Sequence, residues 1–399
     1  MSCVERRRAA TRLGVGLSPI CFFARALVAV VFTASIVLAT GCTGKVFYLP
    51  SHSKAGDYPG SRAEGGFPLE GPEPPLRLLW QQEVDSYPLG KSLLAGPLLL
   101  QLTMSPKLYA FDRYNGRRLG RMGVPEGVCA APRLVGSAAT LLILAEARGG
   151  DKPILRAMNR QTRKTEWTFA GAVCAPVATR NDTVIVPLET GALVALAAAD
   201  GSQLWRVETE AGLVAGPSLS GGTVFAGDLE GNLVAVSLRD GSEIWSAQLG
   251  ASVRSQPLVA GGRVFANTGS GVTQAFDALT GEALWQQPLG ALLTPGFALA
   301  DSVVIVGSSD RVLYALDLEE GTIVWRFETK GSIRGVPAST AETVYAGSSD
   351  GFVYAIDVKT GLLKWKYRLD GPVTQPVTLG LRGMSVTTDA GTVYFFGKE

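Results

Sequence analysis

Six of the seven tryptophans fall on a ruler: Trp167, Trp205, Trp245, Trp285, Trp325 and Trp365 are separated by 38, 40, 40, 40 and 40 residues. Trp80 stands two periods and a short insertion earlier. Self-similarity at this spacing marks a repeat architecture, in which each unit buries its apolar face only against its neighbours. With every tryptophan on the repeat, the indoles read as structural, and any chemistry must come from other residues.

The clearest copies share a turn followed by a strand. They are Ala275-Phe276-Asp277…Thr280-Gly281…Trp285 and Tyr354-Ala355-Ile356-Asp357…Thr360-Gly361…Trp365, with a looser copy at Tyr314-Ala315-Leu316-Asp317…Gly321…Trp325. An Asp carboxylate accepts backbone N–H groups two residues on, and Gly supplies a left-handed backbone without steric cost. Together they close a tight turn, and the Trp on the next strand fills the gap between neighbouring sheets. Asn159, Ala197 and Ser237 replace the Asp in three copies, Arg163 stands at one Gly position and Gly120 at one Trp position.

Between the turns, runs such as Gly222-Thr-Val-Phe-Ala-Gly227 and Glu342-Thr-Val-Tyr-Ala-Gly347 alternate with period two and are bounded by turn residues. A unit of this length holds about four strands of 5–6 residues. Units start near Trp80, Gly120, Trp167, Trp205, Trp245, Trp285, Trp325 and Trp365. This predicts an all-β chain, an eight-bladed β-propeller of four-stranded antiparallel blades over 76–399. The last unit stops at Val393-Tyr394-Phe395-Phe396, and the strand around Trp80 lacks a preceding turn. The N-terminal strand is therefore expected to complete the last blade and close the ring, which removes an open edge.

The Ala-x-Asp-x-x-Thr-Gly-x-x-x-Trp spacing resembles the docking motif of the pyrroloquinoline quinone (PQQ) type β-propeller repeat family. The resemblance covers 76–399 and is strongest toward the outer-membrane assembly lipoprotein BamB. Quinoprotein alcohol dehydrogenases share the repeat. The BamB resemblance implies a non-enzymatic scaffold that supports insertion of outer-membrane β-barrel proteins. Its implied partners are BamA-like periplasmic domains of the barrel-assembly machine, met by a single propeller within the complex.

The N-terminus carries its own address. Arg6, Arg7, Arg8, Arg12 and Arg25 precede an apolar stretch from Ala26 to Ala39, and Leu38-Ala39-Thr40-Gly41-Cys42 follows. The stretch is shorter than the roughly 20 residues that span a bilayer. Small residues before a Cys resemble a bacterial lipobox, so 1–41 is expected to be a lipoprotein signal peptide and Cys42 the lipidated residue, on the periplasmic side of the outer membrane. Several acyl chains give stable anchoring. Residues 42–75, rich in Gly and Pro, are expected to be a flexible tether. Without 1–41 the chain has 32 basic and 34 acidic residues. Such balance leaves no electrostatic footprint for nucleic acid.

The single histidine is His52, within the expected tether. His-dependent triads and His-based metal sites are thereby removed from the propeller. Dehydrogenases of the resembling family hold calcium on carboxylate and Asn, and many stack an adjacent-Cys disulfide on the quinone. No Cys-Cys pair occurs, and Asp277, Asp317 and Asp357 belong to turns. No cofactor and no metal are expected. A PQQ-dependent oxidoreductase and a ligand- or polymer-binding envelope propeller stand as alternatives.

Three further features are singled out. Arg254 and Arg334 each precede a strand Pro by three residues, with Thr294 and Thr374 at equivalent places. They read as partner-binding arginines, suited to bidentate carboxylate contacts, or as solvated residues at a channel mouth. Cys129 and Cys174 occupy equivalent strands of adjacent units, as a disulfide or as two small apolar side chains. Glu146–Pro153 lengthens the second unit, and Leu289–Phe297 breaks the period, with Leu292 and Leu293 forming either an exposed apolar contact or a shifted core strand. Segments Ser92–Pro97, Gly212–Pro217, Ser252–Pro257, Ser332–Pro337 and Gly371–Pro376 are expected as the inner strands.

Overall fold

Period-two alternation forms strands throughout the part of the chain that is placed. The computed structural model describes residues 71–398, except 106, 125–127, 129, 136–140, 147–153, 160–161 and 163. Among the described residues there are strands and turns and no helix. The strands form eight four-stranded antiparallel sheets. Seven are continuous in sequence, blades 1 to 7, spanning 88–123, 133–170, 178–208, 218–248, 258–288, 298–328 and 338–368. Blade 8 combines 378–397 with the early strand Arg77–Glu83.

That early strand lies antiparallel to the last one, with Arg77 opposite Gly397 and Glu83 opposite Thr392. Trp80 stacks on Phe395 at 5.4 Å. The expected closure is thus present. Within each blade the four strands, a to d, run outward from the axis, because it is the a strands of neighbouring blades that meet.

The core lies in the layers between blades. In blade 3 Val186, Val194 and Leu196, and in blade 6 Ile305, Leu313 and Ala315, are fully buried. The d strands repeat an exposed–exposed–buried pattern in which only the Trp turns inward, as in Glu243–Gln248. Each such indole then reaches across to the next blade. The Nε1–H of Trp205 donates to the carbonyl of Leu238 at 2.9 Å, Trp245 to Ala278 at 3.1 Å and Trp325 to Val358 at 2.7 Å. Trp80 and Trp167 do the same with Arg113 and Ala198, both at 2.8 Å, and Trp285 with Leu318 at 3.3 Å. Trp365 packs edge-on against Phe396 instead, at 5.6 Å, because blade 8 takes its fourth strand from the other end of the chain.

The turn between strands c and d receives that indole. Asp277 accepts the N–H groups of Leu279 and Thr280, both at 2.9 Å. Gly281 has φ of 74°, and a Cβ there would stand 2.6 Å from the Trp245 ring. Glycine is therefore required twice, for its backbone and for the close approach of the indole. Where Ala197 and Ser237 replace the Asp, Asp200 and Asp240 accept the turn N–H from three residues further on, through Ser202 at 2.9 Å and Ser242 at 3.1 Å.

Two expectations shift. In blade 1 the segment Ser92–Pro97 is not the counterpart of Gly212–Pro217. The innermost strand is Pro88–Ala95, and Gly96 with Pro97 forms its turn into Leu98–Thr103. The sequence similarity of the two Gly-Pro pairs hid a one-segment offset. In the remaining copies the quoted segments lead into the a strand, which starts after the Pro, as at Ser218 and Leu258.

Residues 71–75, within the expected tether, are docked on blade 7. Glu73 accepts hydrogen bonds from Thr340 and Thr343 and lies 3.3 Å from the Lys364 ammonium. The Tyr345 hydroxyl donates to the Pro72 carbonyl, and Leu76 is buried. A carboxylate with two hydroxyl donors and a cation is held, so residues 71–75 belong to the propeller surface.

Candidate functional site

Strand direction sorts the loops into two faces. The connections into each a strand and the b–c turns lie on one face. The a–b and c–d turns lie on the other. On the first face, the fifth residue of each connection is an apolar peg: Leu213, Val253, Ile333 and Val373 are each 0–1% exposed. Three of these pegs seat against a Gly that ends strand b of the preceding blade. A Cβ on Gly227, Gly307 or Gly347 would collide with Val253, Ile333 or Val373 respectively. The peg's N–H donates into the same blade's b–c turn, as from Val253 to the Asp228 carbonyl at 2.8 Å and from Ile333 to Ser308 at 3.0 Å. In an extended chain the next side chain points the opposite way. That next residue is Arg254, Thr294 or Arg334, beside pegs Val253, Leu293 and Ile333.

These residues converge on one cleft of about 440 Å³ between blades 5, 6 and 7. Its walls include Arg254, Arg334, Thr294, Leu292, Leu293 and Ile333. The two arginines picked from the period are thus brought to one cavity, and both are exposed. Arg254 makes one hydrogen bond, to the Ser252 hydroxyl at 3.3 Å. Neither arginine is ion-paired among the described residues. The threonines at the equivalent places are engaged. Thr294 donates to the Gly296 carbonyl at 2.8 Å. Thr374 donates to Asp389 at 2.6 Å and meets the Tyr87 hydroxyl at 2.6 Å, across the seam between blades 8 and 1.

The broken period at Leu289–Phe297 belongs to the same cleft. Leu292 is 59% exposed on the rim, whereas Leu293 is buried as the peg. The core strand itself is not shifted, because Ala298–Ala300 lies one period of 40 residues after Leu258–Ala260. Pro295 falls on the cleft wall, at the place of Ser255 in the preceding blade.

Two basic positions escaped the sequence reading. Arg311 holds φ of 77° in the b–c turn of blade 6, where blades 3, 4, 5, 7 and 8 have Gly191, Gly231, Gly271, Gly351 and Gly391 at φ of 81–92°. A non-glycine residue there is strained. The signal was present as a missing Gly in Asp310-Arg311. Lys91 stands on the innermost strand of blade 1. It is reached by water yet enclosed by protein, and burial first, then the charge of Arg133, pushes its ammonium down to about 8.

Cys174 is disulfide-bonded. Cys129, read with it as either a disulfide or a pair of small apolar side chains, lies outside the described residues, as do Cys42, His52, Arg163 and residues 147–153 of the insertion. Among the described residues no three His, Cys, Asp or Glu side chains converge in a metal-holding group. The cleft itself presents guanidinium, hydroxyl and amide groups. The guanidinium groups are donors for anions; the hydroxyls and the amide carry acceptor oxygens, but calcium is usually held by carboxylates, and none lines the cleft. The lining of this cleft therefore does not fit the calcium-quinone arrangement of the dehydrogenases.

Comparison with known proteins accords with this picture. No curated protein sequence matches the chain. Among solved structures, BamB from Moraxella catarrhalis superposes with a TM-score of 0.66 at 18% identity, over 81% of this chain and 100% of that one. The computationally designed Ika8 protein gives 0.70 at 15% identity, over 84% and 99%. A quinohemoprotein alcohol dehydrogenase from Pseudomonas putida HK5 gives 0.70 at 13% identity, over 86% and 81%. At these identities the likeness is one of fold, shared between BamB and an alcohol dehydrogenase. The sequence itself is more selective: the model of the family described as outer membrane protein assembly factor BamB matches residues 189–291 and 269–398. These overlapping matches take in more than half the chain and blades 4 to 7 entire, and by them the protein belongs to that family of PQQ-type β-propellers.

Proposed function

We propose that this protein is a non-enzymatic periplasmic scaffold that supports assembly of outer-membrane β-barrel proteins, held at the outer membrane by lipid on Cys42. The observation that carries this reading is the pair of unpaired arginines, Arg254 and Arg334, presented on one face of a closed propeller. Family membership supplies the context. A ring of hydrogen-bonded sheets holds its loops in place, so little ordering entropy is lost when a partner docks. Exposed arginines over an apolar floor suit protein contacts better than bond-making chemistry.

Affinity purification of the tagged chain from solubilised membranes tests the role. Recovery of a barrel-assembly subunit such as a BamA-like protein is expected, and its absence under mild detergent overturns the assignment. Reconstitution with PQQ and calcium tests the oxidoreductase alternative: stoichiometric quinone binding with alcohol-dependent dye reduction would replace this reading. Replacing Cys42 with Ser is expected to move the protein from the membrane to the soluble periplasmic fraction.

A further inference from the structure

The innermost strands of the ring carry cations and no carboxylate. Those of blades 4 to 8, from Ser218–Ser220 to Thr378–Gly380, hold no ionisable residue. Those of blades 1, 2 and 3 hold Lys91, Arg133 and Arg180 in turn, with no Asp or Glu. Arg180 ends its strand and donates to the Gly221 carbonyl. Lys91 and Arg133 have neither a hydrogen bond nor an ion pair among the described residues. Lys91 is placed by its backbone. Strand a of blade 1 pairs with strand b at Leu89 and again from Leu93, and Gly90, Lys91 and Ser92 form the irregularity between. Such a bulge re-aims a side chain. Both neighbours of Lys91 are fastened: the Gly90 N–H donates to Gln375 Oε1 and the Ser92 hydroxyl to Gln101 Oε1, each at 2.7 Å. Gly90 also abuts blade 2, because a Cβ on it would stand 3.1 Å from the Cβ of Ala131. Arg133 opens strand a of blade 2 two residues later. Two unpaired cations of adjacent blades therefore face the same enclosed space.

Independently of the scaffold role, we propose that Lys91 and Arg133 form a binding site for a small, doubly charged oxyanion of sulfate or phosphate size on the innermost surface of the ring. The guanidinium fork meets two oxygens of the anion, and the ammonium, a point charge, meets a third. Two cations without a carboxylate on their strands favour a dianion, and chloride lacks the separate acceptor atoms that a fork requires. The positions lie on innermost strands and not on projecting loops, so the ligand is a free ion or the terminal group of a small ester. The empty arrangement is costly. Burial first, then the charge of Arg133, holds the Lys91 ammonium down to about 8, and an anion between the two groups offsets both effects.

Calorimetric titration of the full-length chain in detergent with sodium sulfate, at an ionic strength held constant with chloride, reads the site. One sulfate per chain is expected. Its affinity should fall about tenfold or more in K91Q and in R133Q, as for loss of a hydrogen bond to a charged group, and stay unchanged in K359Q, which removes a cation from an outer turn. Thermal unfolding of each variant checks that the ring is intact. Inorganic phosphate and glycerol phosphate are then titrated in turn: binding of both supports an ester as the ligand, and binding of inorganic phosphate alone supports the free ion. A second measurement needs no substitution. Cyanate carbamylates uncharged amines, and peptide mass spectrometry compares Lys91 with the exposed Lys359. Sulfate should slow the modification of Lys91 several-fold and leave that of Lys359 as it was. No sulfate binding overturns the proposal, as does binding that survives both K91Q and R133Q, or a cyanate rate at Lys91 indifferent to sulfate.

Discussion

A glycine and an indole from different blades share one small space. The Cβ that Gly281 lacks would sit 2.6 Å from Trp245, and for Gly361 it would be 2.7 Å from Trp325. Gly262 has nearly the same backbone, φ of 75° against 74°, but nothing within 4 Å of its missing Cβ. The pair therefore separates backbone strain from contact. Gly262→Ala is expected to cost about 1–2 kcal/mol from its left-handed backbone alone. Gly281→Ala should cost a further 1–3 kcal/mol or so, as overpacked sites do. Urea denaturation followed by tryptophan fluorescence reads both, and equal costs would remove the indole from the account. The opposite substitution is informative at Arg311. Arg311→Gly relieves a positive-φ side chain and should stabilise the fold by about 1 kcal/mol or less net, because glycine also loosens the unfolded chain. The repeat spacing made Trp, Asp and Gly legible in sequence. It did not show that a glycine's neighbour is the preceding blade's indole, since that contact spans 36 residues between Trp245 and Gly281.

At the scale of the turn, one carboxylate serves several N–H groups, and its position is negotiable. Backbone N–H groups of Thr280 and Leu279 hold Asp277 below the usual carboxylate range. The Ser242 hydroxyl, then its N–H, brings Asp240 down to about 2. The N–H of Ser202, then its hydroxyl, lowers Asp200. Each carboxylate binds protons less readily folded than unfolded. The stability it provides is complete above the unfolded value of about 4 and is lost as pH falls through the folded one. The denaturation midpoint should therefore drop between about pH 4 and about pH 2. In Asp240→Asn that drop should be shallower, with a lower midpoint at neutral pH. A midpoint flat across this window would show that these turns hold no linkage. The shift of the acceptor from position 237 to position 240 was visible as Asp200 and Asp240, yet period counting read those copies as degenerate. Matching types at fixed places cannot register a bond made from the other side of the same turn. A similar limit explains blade 1, where the Gly96-Pro97 pair mimics Gly216-Pro217 but forms a different turn. The cleft, by contrast, was half legible: the place three residues before a strand Pro marked Arg254 and Arg334, while the buried peg beside each and the three-blade convergence belong to the ring.

Across the whole propeller, strand direction makes the arginine cleft and the arriving chain occupy opposite faces. The cleft is built from connections into a strands and from b–c turns. The arriving residues meet Thr340 and Thr343 in an a–b turn, then enter blade 8 at Arg77, opposite Gly397. Strands of about six residues separate the faces by roughly 20 Å. With the lipid that we propose on Cys42, we predict that the cleft faces away from the membrane more often than toward it. Glu73 is the clamp that holds this exit, because Thr340, Thr343 and Lys364 all converge on its carboxylate. The prediction uses the lipid-bearing chain in vesicles with acceptor-labelled headgroups, carrying one genetically encoded fluorophore at Leu362 or at Leu292. Energy transfer should be greater from Leu362, which lies on the face where the chain arrives. Glu73→Ala should narrow the difference and cost about 1–2 kcal/mol, in the range for hydrogen bonds to a charged group. Greater transfer from Leu292 would mean that the cleft faces the lipid, and a partner in the aqueous periplasm would then have to be sought on the opposite turns.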